Sequence, residues 1–162
     1  MFRITRLTDY GVLLMTQIVK DTACVHNAAD LAEQVHVPLP TVSKILQILL
    51  RENLLESVRG AGGGYRLART ASDISVRDII VALEGPIALT ECNLEEGNCE
   101  QEPHCATRGN WQIINQAVRH ALGDISLADM IQPAFAPVMR VETHHGKSIG
   151  QDVFKRTGAE NG

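Results

Sequence analysis

The sequence predicts a mainly α-helical fold with a small β-hairpin wing, arranged as a winged helix-turn-helix followed by a long dimerisation helix. In the first 52 residues, apolar side chains recur at helical spacing in three short segments. The period then becomes that of strands on both sides of a glycine-rich turn. Three helices followed by a hairpin are the order of elements in a winged helix. A further amphipathic segment follows a group of cysteines and supplies the long helix.

The first two helices are predicted from their apolar faces and from the residues at their ends. The first spans residues 5–20, where apolar residues recur at spacings of three and four: Leu7, Tyr10, Leu14 and Ile18. Asn27 can cap the second helix with its side chain, and residues 36–38 end it. The short connection to the next helix fits a helix-turn-helix.

The third helix, from about Pro40 to Glu52, has the most informative pattern. One arc of this helix is apolar, while the opposite arc carries Ser43, Lys44 and Gln47. Polar groups of this kind can reach base edges in the major groove of DNA. Because a polar arc alone is more often a solvated surface, the recognition hypothesis depends on the hairpin that follows.

That hairpin has strands at residues 54–58 and 65–68, with Arg59 and glycines in its turn. Glycines permit positive backbone angles and close approach to a sugar-phosphate surface, which favours a wing that touches DNA. A nucleotide-binding loop is disfavoured, because a dinucleotide fingerprint needs glycine where Tyr65 stands and the Gly-Lys-Ser/Thr of a P-loop is absent. The residues predicted to contact double-stranded DNA are Pro40, Thr41, Ser43, Lys44, Gln47, Arg59, Gly60, Gly62, Gly63 and Tyr65.

The rest of the chain is predicted to hold a capped helix, a loop, a long helix and a tail. Ser75 caps the fourth helix, and Gly85 ends it. The apolar stripe at about 109–122 is too exposed for so small a domain to bury alone, which favours dimerisation. Its residues are Trp111, Ile114, Ala117, Val118, Ala121 and Leu122. We therefore divide the chain into a DNA-binding domain (1–84), a cysteine loop (85–107), a dimerisation helix with a short C-terminal helix (108–131) and a disordered tail (132–162).

Composition and charge limit the class of protein. A chain of 162 residues is too short for most two-domain enzymes. It has no apolar stretch near the roughly 18 residues that span a bilayer, and no secretory cleavage signal follows its N-terminus, so we expect no membrane partner and a cytoplasmic protein. The net charge of −4 is unevenly distributed along the chain. Residues 1–70 hold eight basic and six acidic side chains, whereas residues 71–105 hold one basic and eight acidic side chains. Phosphate contacts therefore belong to the first part.

Three of the four cysteines, Cys92, Cys99 and Cys105, are grouped in the acidic segment, while Cys24 is isolated and is interpreted as a packing residue. Cytoplasmic thiols are normally reduced, which favours a metal or redox site over disulfides. Soft thiolates suit iron–sulfur clusters, zinc or copper(I), and the paired C-x2-C knuckles typical of structural zinc are absent. An iron–sulfur cluster is favoured, while zinc and thiol redox chemistry stay open. The nearby carboxylates should raise the pKa values of the thiols in a metal-free loop.

These motifs together resemble the IscR and NsrR family of winged-helix regulators, also called the Rrf-two family, over residues 1–131. The resemblance rests on Leu7–Tyr10 in the first helix, on Ser57–Tyr65 in the wing, and on the three grouped cysteines. The stretches Leu83–Cys92 and Gly109–Trp111 are most similar to proteobacterial regulators of the SUF iron–sulfur assembly operon.

The resemblance implies a homodimer whose long helices cross, with recognition helices in major grooves and wings at minor grooves of a roughly palindromic DNA site. It also implies that the state of a cluster on Cys92, Cys99 and Cys105 changes promoter affinity, in a repressor of iron–sulfur assembly genes. We expect a [2Fe–2S] rather than a [4Fe–4S] cluster. Some relatives place a histidine ligand where this chain has Arg108, so the fourth ligand is either Asp9 of the partner subunit, as in nitric-oxide-sensing relatives, or His104.

Other functions stay open at this point. An iron–sulfur carrier or electron-transfer protein would need the cysteines but would leave the basic wing without a purpose. A thiol-sensing or nitric-oxide-sensing regulator would share the same fold. An enzyme is disfavoured, because no Ser-His-Asp or Cys-His pairing lies in a recognisable motif and no small-molecule substrate site is indicated.

Overall fold

Helices dominate the computed structural model, which describes residues 3–60, 62–94, 99–100 and 104–132. Within these ranges the elements are α1 Arg6–Lys20, α2 Ala28–Val35, α3 Leu39–Arg51, β1 Leu55–Val58, β2 Gly64–Leu67, α4 Val76–Glu84, α5 Arg108–Gly123 and α6 Leu127–Met130. Two short 3-10 turns lie at Ala71–Asp73 and Glu91–Asn93. The predicted mainly helical class with one hairpin is confirmed. In the described part, no helix is long and apolar enough to cross a membrane.

Local capping rules account for where the first helices begin. The Thr5 hydroxyl accepts the N–H of Thr8 at 3.3 Å, so α1 begins at Arg6, one residue later than predicted. The side-chain oxygen of Asn27 accepts the N–H of Asp30 at 2.9 Å, which caps α2 as predicted. Each cap satisfies an amide that the first helical turn leaves unpaired.

A three-residue turn separates α2 from α3. His36 adopts the left-handed conformation with φ 54°, which ends α2. Val37 is buried beneath the turn, and the extended Pro38 leads directly into α3, which therefore begins at Leu39 rather than at Pro40. The two helices are thus held in a fixed helix-turn-helix arrangement.

The main hydrophobic core lies where α1, α3 and α4 pack together. Its fully buried side chains come from every helix except α5: Leu14, Met15, Ile18, Leu31, Val42, Ile45, Leu46, Leu49, Ile79 and Leu127. The apolar arc predicted for α3 consists of Val42, Ile45, Leu46, Leu49 and Leu50. The first four are buried, which confirms the prediction for them, while Leu50 is half-buried. Leu127 of α6 returns to this core, because its N–H donates to the Ile74 carbonyl at 2.7 Å.

The hairpin is antiparallel, with Leu55 opposite Leu67 and Val58 opposite Gly64. A third segment joins it before α2. His26 and Tyr65 exchange two backbone hydrogen bonds of 2.9 and 2.8 Å, so the wing is fixed to the start of the helix-turn-helix. This connection between distant segments was not predicted from the sequence.

The long helix α5 is only partly packed on the rest of the chain. Its C-terminal half places Val118 and Leu122 against a small core formed by Val76, Ile80 and Ile87. In its N-terminal half, Trp111, Ile113 and Ile114 are exposed. The predicted stripe therefore divides into an inward part and an outward part. The tail from residue 133 onwards, Ala61, and residues 95–98 and 101–103 of the cysteine loop lie outside the described residues.

Candidate nucleic-acid interface and cysteine segment

The face of α3 opposite the core carries the side chains predicted to read DNA. Lys44 and Gln47 are exposed, and Ser43 is half-buried between them and the core. Thr41 is half-buried at the first turn, and Pro40 is exposed beside it. Because Val42, Ile45, Leu46 and Leu49 are buried on the other side, the orientation of this polar face is fixed by packing.

The turn of the wing contains glycines with different structural roles. Gly60 has φ 119°, a conformation that favours glycine. A side chain at Gly63 would meet the Val58 carbonyl oxygen at 2.5 Å, so the hairpin itself requires glycine there. A side chain at Gly62 would meet nothing within 4 Å. Gly62 is therefore a glycine that the fold does not require, which is consistent with a surface kept open for a ligand.

The two arginines of the wing, Arg59 and Arg66, differ in whether their charge is paired within the chain. Arg66 pairs with Glu56 across the hairpin, so its charge is partly neutralised within the chain. Arg59 is exposed and makes no ion pair within the part of the chain that the structure describes. Tyr65 is half-buried and packs against the main core. Its ring supports the wing, and its contact with DNA stays a prediction.

Cys92 lies on the 3-10 turn Glu91–Asn93, which follows α4 after a short connection. Its thiol is half-buried and lies 3.2 Å from the hydroxyl of Thr90, which also accepts a hydrogen bond of 2.7 Å from the Asn93 amide. An open pocket of about 360 Å³ separates this turn from α5. Arg119 is the charged residue on the α5 side of that pocket.

Cys105 precedes α5 and is half-buried. Hydrogen bonds from the Thr107 hydroxyl and backbone lower its pKa, against a small opposing effect of burial, and the backbone and charge of Arg108 lower it further. The prediction that acidic surroundings raise the thiol pKa is wrong for this residue. The hydrogen bonds from Thr107 and the effects of Arg108 decide the sign at Cys105.

The three grouped cysteines are of the residue type that binds iron–sulfur clusters, although the described residues do not form a complete metal site. Cys92, Cys99 and Cys105 are all free and half-buried, and cysteine thiolates are the usual ligands of iron–sulfur clusters. Cys24 is exposed, so its interpretation as a packing residue is wrong. Among the residues described by the structure, no three His, Cys, Asp or Glu side chains converge to hold a metal. The two candidates for the fourth ligand, Asp9 on the first turn of α1 and His104 before Cys105, are both exposed.

Sequence reasoning missed two polar residues that fix this region. Asn115 of α5 is only 4% exposed, and its side chain bonds the backbone of Ile87 and Leu89. Glu84, at the end of α4, accepts the N–H of Thr5 at 2.8 Å. Burial opposes ionisation of Glu84, but hydrogen bonds from Thr8 and Thr5 outweigh it and lower its pKa. A polar residue beside the apolar stripe was the available signal for Asn115; none existed for Glu84, whose partner is 79 positions away.

Comparison with known proteins decides the family. The model of the Rrf2 family, described as an iron-dependent transcriptional regulator, matches residues 4–133. The chain belongs to the Rrf2 family. As a member of this family of regulators it binds DNA, and it is not an enzyme, as the sequence predicted.

Individual relatives of this Rrf2-family chain agree with that assignment. An HTH-type transcriptional regulator of Neisseria meningitidis is 30% identical over 131 residues, covering 81% of this chain and 83% of the relative. The structure of CymR, the global cysteine regulator of B. subtilis, is similar with a TM-score of 0.66 and 27% identity, covering 81% of this chain and 97% of CymR. The structure of T. potens IscR is similar with a TM-score of 0.62 and 29% identity, covering 80% of this chain and 86% of IscR. The predicted winged-helix class is thereby confirmed.

Proposed function

We propose that this chain is a dimeric, iron–sulfur-responsive regulator that represses iron–sulfur assembly genes of the SUF type. One observation carries the proposal: three free, half-buried thiols occur in the segment that joins the DNA-binding helices of an Rrf2-family fold to its long helix. Cysteines in that place can affect both parts of the molecule. Regulation of transcription requires access to DNA, so we propose that the protein acts in the cytoplasm.

The DNA-reading part of the proposal rests on α3 and the wing. Lys44 and Gln47 present donors and acceptors suited to base edges in the major groove. Arg59 offers an exposed cation for a phosphate, and Gly62 permits close approach of the backbone. A dimer would present two such surfaces, so we expect a roughly palindromic site.

The cluster would be held by Cys92, Cys99 and Cys105, with Asp9 of the partner subunit or His104 completing the ligands. When bound, the group supplies a centre whose redox state and occupancy respond to iron and oxidants. A non-thiolate fourth ligand would be released more easily than a thiolate, which suits a sensor. We favour a [2Fe–2S] cluster.

The dimer part of the proposal rests on the outward half of α5. Ile113 is 67% exposed, and Trp111 and Ile114 are also exposed in the same half of the helix. Exposed apolar side chains grouped on one helix mark an interaction surface. A second copy of this helix is the occupant that we propose.

Anaerobic purification followed by absorbance spectroscopy and iron and sulfide analysis tests the cluster. Alanine at Cys92, Cys99 or Cys105 should abolish the chromophore, whereas Cys24→Ala, at an exposed cysteine in the connection before α2, should retain it. Binding of a palindromic promoter by holo and apo protein is then compared by fluorescence anisotropy at several salt concentrations. A colourless wild type with stoichiometric zinc, or equal affinity of the two forms at every salt concentration, would refute the proposal.

A second candidate, a thiol-based regulator without a cluster, is favoured by the lowered pKa of Cys105. A larger thiolate fraction makes a cysteine more reactive toward oxidants. In that case metal-free protein should change its DNA affinity on mild oxidation, and Cys105→Ala alone should remove the change. Retention of the change in that variant would exclude this candidate.

A further inference from the structure

Asn115 is the buried polar side chain of an otherwise exposed stretch of α5. It is 4% exposed, although its neighbours Ile114 and Gln116 are both exposed. Its side-chain oxygen accepts the N–H of Leu89 at 3.1 Å, and its side-chain nitrogen donates to the carbonyl of Ile87 at 3.3 Å. A single carboxamide thus satisfies two backbone polar groups, one on each side of Ala88.

The stretch that Asn115 holds leads directly to a proposed cluster ligand. Gly85 ends α4, Ile87 is buried against α4, and three residues after Leu89 the chain reaches Cys92. Asn115 and Cys92 also line the same open pocket. The position of the Cys92 turn relative to α5 therefore depends on the two hydrogen bonds of Asn115, which lie only a few residues away.

Of asparagine, aspartate and leucine, only asparagine supplies both the donor and the acceptor that these two hydrogen bonds need. Aspartate would lack the donor for Ile87 and would bury a charge, while leucine has a similar size but neither polar group. Loss of the side chain would leave the Leu89 N–H and the Ile87 carbonyl without this partner in a half-buried place, which destabilises the held conformation.

We propose that Asn115 is a positioning residue, which fixes the segment presenting Cys92 to the long helix before any cluster is bound. The anchoring itself is a property of the metal-free chain. Its effect on a cluster rests on the proposed function above, so the two need separate readouts.

The first readout uses full-length, metal-free, reduced protein and the alkylation rate of individual cysteines, followed by mass spectrometry. In Asn115→Leu, release of the segment should raise the rate at Cys92 by about tenfold, as expected for losing two hydrogen bonds. The rate at the exposed Cys24 should not change and serves as the internal reference. Asn115→Ala removes the same bonds without filling the space, and is measured as well in case the leucine variant does not fold.

Val118→Ala is the matched control, because Val118 lies on the same helix and packs against the same small core, which includes Ile87, but its apolar side chain makes no hydrogen bond to the segment. It should lower overall stability while leaving the Cys92 rate within about twofold of wild type. Equal acceleration of Cys92 in Val118→Ala and Asn115→Leu would show that Asn115 acts only through general stability, and would overturn the proposal. So would an unchanged Cys92 rate in both Asn115 variants.

The second readout is the half-life of the visible absorbance of anaerobically loaded protein during challenge with an iron chelator. We expect the half-life to fall at least fivefold in Asn115→Leu and to be preserved in Val118→Ala. An unchanged half-life in the loaded Asn115 variants would overturn the positioning role. A wild type that binds no cluster would refute the proposed function instead, while the alkylation result would still decide whether Asn115 positions Cys92.

Discussion

Gly64→Ala tests whether the wing depends on close contact with the segment before α2. A methyl group at this position would lie 2.7 Å from the carbonyl carbon of His26 and would overlap its oxygen even more closely. The conflict is with backbone atoms, which cannot rotate away as a flexible side chain can. To relieve it, the wing must separate from His26, which breaks the two hydrogen bonds of 2.9 and 2.8 Å between His26 and Tyr65.

The expected loss follows from these contacts. The two backbone bonds contribute a net of about 0.5–1.5 kcal/mol each, and an overlap that is not relieved by separation costs a similar amount, about 1–3 kcal/mol, so we expect the free energy of unfolding to fall by about 1–3 kcal/mol. Urea denaturation followed by circular dichroism measures this quantity. Gly62→Ala is the matched control, because its methyl group would meet nothing within 4 Å, and it should change stability by less than about 0.5 kcal/mol. Equal stability of the two variants would refute the reasoning.

Three further predictions concern charge, pH and assembly. Arg59→Ala should reduce the slope of log DNA affinity against log salt concentration by about one, whereas the control Lys20→Ala, at the last turn of α1, should leave this slope unchanged. Equal slopes for the two variants in anisotropy titrations would contradict a phosphate contact by Arg59. The pKa of Glu84 is lowered in the folded state, so its stabilising effect is present above the unfolded value of about 4.3 and is lost as pH falls through the lower folded value. The difference in unfolding free energy between wild type and Glu84→Gln should therefore shrink in acid, and a difference that stays constant in urea melts contradicts the prediction. Ile113→Asp should convert a dimer to a monomer in sedimentation, while Asn110→Asp on the same exposed helix should not, and a dimeric Ile113→Asp would place the interface elsewhere.

Features set by residues close together in the chain were predictable. The caps at Asn27 and Ser75 each act on an amide three positions later, so a short window of sequence contains both partners. The apolar arc of α3 follows from helical periodicity alone, because a helix of fixed pitch can present only one such arc to a core.

Features set by distant partners were not predictable in this way. Periodicity found the apolar stripe on α5, yet it could not show that Val118 faces the chain's own core while Trp111 does not, since that depends on where α4 lies. Arg59 and Arg66 both flank the turn in the sequence, and only the hairpin register shows that Glu56 lies beside Arg66. Burial of Asn115 likewise depends on backbone groups 26 and 28 positions away.

The end of α4 is where the DNA-reading and cysteine-bearing parts of the chain meet. Glu84 holds the beginning of α1, on whose first turn Asp9 lies. One residue earlier, Leu83 packs so closely on Gly11 that a methyl group there would overlap it, and the same methyl group would lie 3.6 Å from Ile45 of α3. Leu83 of α4 and Ile45 of α3 therefore both lie close to Gly11 of α1.

Contiguous packing does not by itself transmit a signal, because coupling requires an element with two arrangements. Helix α3 is a poor choice for such an element, since four of its side chains are fully buried. The backbone between Gly85 and Cys92 is held to other elements by the two hydrogen bonds of Asn115 and the buried side chain of Ile87, so less free energy opposes its displacement. A sensor of this construction should therefore change first at the cysteine segment, and α3 should respond as a rigid body that follows α4.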